Sequence, residues 1–273
     1  AVSLNNNDIL MMSVDLINGN ATSVNTYEIV SDAANLYGMD LIYLSASDEI
    51  LIAARYNNGQ DDILMMKVKP DLTIVSNSLP WRTTGAGSEV PYGLEVINSR
   101  AYVVGKTSTW GSVAGNQDIY IIEMNPTSMV PTANRSFAIN AGSADVAYKA
   151  QRTSDNRLTI VGDFTDAGTP PLKKAFLMYL NINPGGQGNL AAMWTMKNSN
   201  AQGSSFVDIC EIGTDHLLLT GEYFWNSSSS DLFISLVDRL DPDKDDCCLN
   251  LENITINAGL TRNILHMIDK SIT

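Results

Sequence analysis

The chain has 273 residues, 44% of them hydrophobic, and 17 basic against 30 acidic side chains leave a net charge of -13. That balance works against binding a phosphate backbone, which depends on basic surface, so nucleic acid is not an expected partner; cations, basic surfaces or plain solubility fit it. No apolar run approaches the roughly 18 residues that a membrane helix needs, and "AVSLNNNDIL" lacks the basic start and apolar stretch of a signal peptide, as a mature or excised secreted chain also would.

In chain order, one phrase recurs: "NDILMMSVD" at 7–15, "DDILMMKVKP" at 61–70, "QDIYIIEMNP" at 117–126, "KAFLMYLNINP" at 174–184 and "SDLFISLVDRLDP" at 230–242. Its first apolar residues, Ile9, Ile63, Ile119, Ala175 and Leu232, lie 54, 56, 56 and 57 positions apart, a period typical of propeller blades. A β-rich segment precedes each later copy: "ILIAARY" from Ile50, "AYVVGKT" from Ala101, "LTIVGDF" from Leu158 and "LLLTGEY" from Leu217. Three of these carry glycine at one place, Gly105, Gly162 and Gly221, where a side chain would obstruct a bend or a neighbouring backbone.

A third kind of segment comes before those: "YGLEVIN", "DVAYKAQ", "FVDICEI" and, last, "NILHMID". After each phrase, a turn rich in Pro, Gly, Asn or Asp leads to "TIVSNSLPW", "ANRSFAIN", "NLAAMWTMK" or "NITINAG", with Trp81 and Trp194 at matching places as packing residues. Four short strands per unit form an antiparallel meander. Such a sheet cannot bury both faces alone, so the unalternating "ILMM" and "IYII" runs mark strands packed between neighbouring units.

The sequence therefore predicts an all-β, five-bladed β-propeller of four-stranded antiparallel blades, a single domain over 1–273. From Leu232 to Thr273 and round to Ile9 is 50 positions, so five units use the whole chain. The N- and C-terminal strands are expected to share one blade and so remove an open edge.

The Gly-bearing strand, the loop, the Asp with four apolar residues, the Asp/Asn-Pro turn and the Trp strand resemble the SBBP-type β-propeller repeats of secreted and cell-surface bacterial proteins, common in the Bacteroidetes. "VVGKTSTWGSVAGNQDIYIIEMNP" and "LTGEYFWNSSSSDLFISLVDRLDP" carry the likeness, which covers essentially the whole chain. Lys174 departs from it, standing where the other copies have an acid, and five units are fewer than many relatives carry. The resemblance implies export or surface exposure. It does not fix a function, since propellers host enzymes, lectins and scaffolds alike.

Loops between the second and third strands differ in every copy, as "YNNGQ", "TSTWGSVAGNQ", "FTDAGTPPLKK" and "YFWNSSSS". A repeating framework beside varying loops is how scaffolds present binding surfaces. Tyr56, Trp110, Tyr223, Phe224 and Trp225 are the candidate ligand-binding aromatics, stacking on sugar rings or anchoring a protein; the alternative is that they fold over blade edges. Asp8, Asp62, Asp118 and Asp231 recur at the third-strand start, where acids satisfy turn donors more readily than they catalyse.

No cofactor is expected, apart from calcium at "DPDKDDCCLNLE". Asp241, Asp243, Asp245 and Glu252 there match four positions of a calcium loop, but Asp246 replaces its turn glycine. Cys210, Cys247 and Cys248 fix no disulfide pattern. His216 and His266 lie outside any cluster at metal spacing, and the sequons at Asn20, Asn134, Asn226 and Asn253 are expected by chance in so Asn-, Ser- and Thr-rich a chain. The leading expectation is a non-catalytic binding or scaffolding module for a protein or glycan. Its rivals are a glycoside hydrolase or lyase using Glu89, Asp145, Asp208 and Asp40 near the axis, and a structural subunit of a surface assembly.

Overall fold

Alternate side chains of the phrase strands point to opposite faces of their sheets, and in the three middle copies both faces are buried. In the computed structural model, which describes residues 2–4, 8–27, 34–75, 80–109, 116–139, 144–166, 168, 171–182, 188–196, 203–226, 229–242, 249–251 and 257–258, the chain is all β. Five antiparallel meanders follow one another. The first holds β1 (Val2–Leu4), β2 (Asp8–Val14) and β3 (Ala21–Tyr27). The second holds β4 (Asn35–Leu44), β5 (Glu49–Asn57), β6 (Asp61–Val68) and β7 (Trp81–Arg82). The third runs through β8 (Glu89–Ile97), β9 (Arg100–Thr107), β10 (Asp118–Asn125) and β11 (Val130–Ala138). The fourth comprises β12 (Asp145–Arg152), β13 (Arg157–Thr165), β14 (Lys173–Ile182) and β15 (Gly188–Met196), and the fifth β16 (Gly203–Ile212), β17 (His216–Asn226) and β18 (Ser229–Asp238). A parallel bridge, Lys173 to Gly203, joins the last two.

Four apolar cores separate these meanders in sequence order. Ile9, Met11 and Tyr27 meet Ile52, Leu64 and Met66 between the first and second. Leu51, Ile63, Met65 and Trp81 meet Leu94, Val103, Tyr120 and Ile122 between the second and third. Ile119, Ile121 and Phe137 meet Leu158, Ile160, Phe176 and Met178 next, and Leu177, Tyr179 and Trp194 meet Phe206, Leu217 and Leu219 last. Ile63 and Leu64, adjacent in sequence, thus serve two different cores. Each fully buried Leu or Ile side chain contributes about 1.5–3 kcal/mol, which is why these runs do not alternate with polar residues.

First strands lie side by side: β8 packs against β4 and β12, and β12 against β16. Each carries a bulge at the same register, between Gly38 and Asp40, Pro91 and Gly93, Ala147 and Lys149, and Phe206 and Asp208. The facing residues are Ala54, Gly105, Gly162 and Gly221. A Cβ on Gly105 would stand 2.0 Å from the Val90 carbonyl oxygen, and on Gly162 or Gly221 1.9 Å from that of Val146 or Ser205. The recurrent glycine is required by close backbone approach.

Two expectations change. The segment after β18 does not complete the fifth meander: β19 (Leu249–Leu251) pairs with β15, and β20 (Asn257–Ala258) pairs with β11. Both partners are outer strands of their sheets, whose unpaired backbone groups recruit extra strands. Nor does any sheet close on itself among the described residues. The segment expected to share the first meander, "NILHMID", lies outside them.

Candidate functional site

The residue after each bulge-facing position is charged: Arg55, Lys106, Asp163 and Glu222. Opposite them, the bulges leave Met39, Tyr92, Tyr148 and Val207 unpaired in the ladder. An unpaired bulge residue is free to aim its side chain away from the sheet's regular faces. The Tyr92 and Tyr148 rings meet edge to face, with centroids 5.2 Å apart and planes at 68°.

Charged groups surround this tyrosine pair. Lys106 Nζ donates to Gln117 Oε1 at 3.1 Å, and Lys173 Nζ stands 3.3 Å from Asp163 Oδ2. Arg55 Nε donates to Asp61 Oδ1 at 2.6 Å, with its guanidinium 5.0 Å from the centre of the Tyr37 ring. Burial, followed by the charge of Asp163 and a hydrogen bond with it, holds the Tyr148 hydroxyl well above the ordinary tyrosine range. Burial also raises Tyr92 and lowers Lys106. Beside the pair, Asp40 Oδ2 accepts hydrogen bonds from Lys149 Nζ at 2.7 Å and Leu94 N at 2.9 Å, tying the second, third and fourth meanders together. Gly93 makes room for this strap, since a Cβ there would lie 3.0 Å from Lys149 Cα. The half-buried tyrosines, with donors and acceptors on both sides, are suited to a polyhydroxylated ligand that stacks and hydrogen-bonds at once.

The sequence-predicted aromatics fall elsewhere. Tyr56 is 1% exposed and belongs to the core between the first two meanders, not to an exposed loop. Tyr223 and Phe224 lie within β17, which extends to Asn226, and are half-buried. The expected loop is shorter because the ladder with β18 continues past Phe224 through a further bulge. Trp225 is a backbone member of β17, while its side chain and all of Trp110 lie outside the described residues. Trp81 and Trp194 pack inside, Trp194 edge to face with Tyr179 at 4.8 Å.

Of the calcium-loop residues, Asp241 is exposed and its backbone N–H donates to Asp238 Oδ1 at 3.3 Å. Asp243, Asp245 and Glu252 lie outside the described residues. Among those described, no three His, Cys, Asp or Glu side chains come together as a metal-binding group, and no helix is long and apolar enough to cross a membrane. Cys210 is exposed and free.

The four acids expected near an axis form no group of three or more fit to hold a metal among the described residues. Asp208 is exposed, Asp40 is held in its strap, and buried Asp145 accepts the Ile139 N–H at 2.7 Å. Glu89, fully buried, accepts the Thr107 hydroxyl at 3.2 Å and that of Thr109, and burial pushes its carboxyl up to about 7. The third-strand acids differ in burial: Asp62 and Asp118 are buried, Asp8 is half-buried and Asp231 exposed. Lys174, the departure from their pattern, pairs with Asp166 at 3.1 Å.

Sequence reasoning missed the tyrosine pair, although a signal was present: in "AARY", "VGKT", "VGDF" and "TGEY" a charge follows the small residue every time. Compared with known proteins, the chain matches no protein-family model and no curated protein.

Proposed function

We propose that this chain is a five-bladed β-propeller acting as a non-catalytic binding module, with a glycan as ligand at the mouth formed by Tyr92 and Tyr148. The observation that carries the reading is the edge-to-face pair of Tyr92 and Tyr148 on adjacent first-strand bulges, with Asp163 hydrogen-bonded to Tyr148. Aromatic faces bind the apolar side of a sugar ring, and flanking amide, ammonium and carboxylate groups meet its hydroxyls. Export or surface exposure follows from the resemblance to bacterial surface repeats. In a glycan-array and calorimetry experiment, the wild-type chain binds a saccharide, and Tyr92→Ala and Tyr148→Ala each weaken it about tenfold or more. Unchanged binding in both variants refutes the site.

The five-bladed frame is supported by the four successive cores and by two uncovered apolar faces at the ends of the series. On β18, Leu232, Ile234 and Leu236 are 77%, 60% and 54% exposed; on β2, Met12 and Val14 are 57% and 40% exposed. By the register of the other interfaces, these two faces are the halves of a fifth core. Paired cysteines at Met12 and Ile234 test it: ring closure gives a disulfide within a monomer. The same faces favour a second reading, a subunit of a surface assembly, if they pair between chains; a disulfide-linked dimer then replaces the closed monomer.

A further inference from the structure

On the other face of the β5–β6 hairpin lies a hollow of about 240 Å3, lined by Tyr56, Asn58, Gly59, Gln60, Asp62 and Arg82. At about 30 Å3 per water molecule it has room for about eight waters, the scale of one small polar ligand or a single sugar unit. Its lining is almost wholly polar.

Arg82 is the unusual member. Its guanidinium stacks over the Tyr56 ring at 4.2 Å, which fixes the plane of the fork and seals the ring from solvent. Among the described residues, none accepts a hydrogen bond from it: Nε is buried without a partner, and Asp62 Oδ2, the nearest carboxylate, is 3.9 Å away. Other arginines are engaged, Arg55 with Asp61 at 2.6 Å, Arg152 with Asn156 at 2.6 Å and Arg239 with the Thr214 carbonyl at 2.7 Å. A preoriented guanidinium at the wall of a cavity, ion-paired with Asp62 at 3.9 Å but hydrogen-bonded to none of the described residues, matches a planar carboxylate, which accepts two parallel N–H bonds. Around it, Asn58 and Gln60 supply amide groups. Asn58 Nδ2 donates to the Tyr56 hydroxyl at 3.3 Å and Gln60 Nε2 to the Gly85 carbonyl at 2.7 Å, so each amide retains its oxygen as an acceptor.

We propose that this hollow is a carboxylate-binding subsite for an acidic sugar, with Arg82 gripping the carboxylate and the Asn58 and Gln60 amides reading ring hydroxyls. It stands on its own geometry and does not require the tyrosine mouth to be correct. Asp62 sets its pH dependence. Its carboxyl is 4% exposed, accepts the Thr83 hydroxyl at 3.1 Å, and faces Arg82, with Asp61 nearby and Glu89 coupled to it. Burial raises Asp62, so acidification neutralises it and removes its repulsion of a bound carboxylate, whereas ionised Asp62 opposes one.

The test titrates the full chain with glucuronate, glucose, acetate and N-acetylalanine, following the arginine Nε–H signals in proton–nitrogen correlation spectra and the heat of binding. Glucuronate shifts the Arg82 signal and binds more tightly as acidification protonates Asp62, glucose and acetate bind at least about tenfold more weakly, and Asp62→Asn weakens the pH dependence. Arg82→Lys weakens glucuronate about tenfold or more, because an ammonium cannot offer paired coplanar donors, and Arg82→Gln abolishes binding in a chain whose circular dichroism is unchanged. No response to glucuronate, a response retained in Arg82→Gln, acetate binding as tightly as glucuronate, or N-acetylalanine binding more tightly each overturn the assignment. Tyr148→Ala separately tests the tyrosine mouth.

Discussion

Glu89→Gln is expected to stabilise the protein above neutral pH and to do little in acid. The side chain is fully buried, with the Thr107 and Thr109 hydroxyls donating to Oε1 and a weaker hydrogen bond from Thr83. Burial, opposed by those hydroxyls and reinforced by the charge of Asp62, raises its carboxyl from 4.5 to about 7. The native state therefore holds a proton that the unfolded chain has released between those values, so stability falls as pH rises from about 4.5 to about 7 and is level beyond. At about 1.4 kcal/mol per pH unit, the loss is about 3 kcal/mol. Glutamine keeps the shape and carries no charge, so the variant lacks this slope. Urea unfolding of both proteins from about pH 4 to about pH 8 should show a gap growing to about 3 kcal/mol in favour of the variant. A gap of constant size across that range, or a variant destabilised at about pH 8, refutes the reasoning.

Asp155→Asn should behave oppositely. Burial pushes the Asp155 carboxyl up, but hydrogen bonds from Arg157, Thr153 and Arg239 outweigh it and hold the group well below the usual carboxylate range. Its stabilisation is present above the unfolded value near 4 and is lost as pH falls through the folded one, so the variant loses about 1–2 kcal/mol at neutral pH, screening by solvent included, and progressively less as pH falls below about 4, as urea midpoints would report. Gly162→Ala should cost about 3 kcal/mol or more, because its Cβ would meet the Val146 carbonyl oxygen at 1.9 Å; thermal unfolding measures it, and a cost under about 1 kcal/mol contradicts the bulge geometry. Lys149→Met should weaken the Asp40 strap by about 1 kcal/mol, an effect that high salt diminishes.

Most of the strand plan was legible because burial on both faces leaves a mark that no other arrangement does: "ILMM" and "IYII" have no polar side to turn to water, so Ile63 and Leu64 had to serve different cores. The glycine positions were legible for the same kind of reason, a carbonyl standing where a Cβ would be. Loop aromatics were not. Whether Tyr56 points outward depends on a single parity step along β5 and on Arg82, distant in sequence, arriving to cover it. The ends of the series were equally opaque, since β11 and β15 offer unpaired edges that compete with β18 for the segments after it. Edge pairing uses backbone groups, which every sequence possesses.

The bulge explains why framework and site are so closely interleaved. At regular ladder positions a side chain must fill one of two cores, so Ile, Leu, Met and Phe recur there with little freedom. At the bulge one residue has no partner opposite and no core assigned, and it varies from Met39 to Tyr92, Tyr148 and Val207. The charge beside it varies in sign, from Arg55 and Lys106 to Asp163 and Glu222. Because the bulge opens between first strands already packed against each other, the variable groups of neighbouring meanders meet, as the Tyr92 and Tyr148 rings do at 5.2 Å. A rigid repeat thus concentrates its chemical differences at one place on each unit, where stability asks least of the side chain and a ligand can ask most.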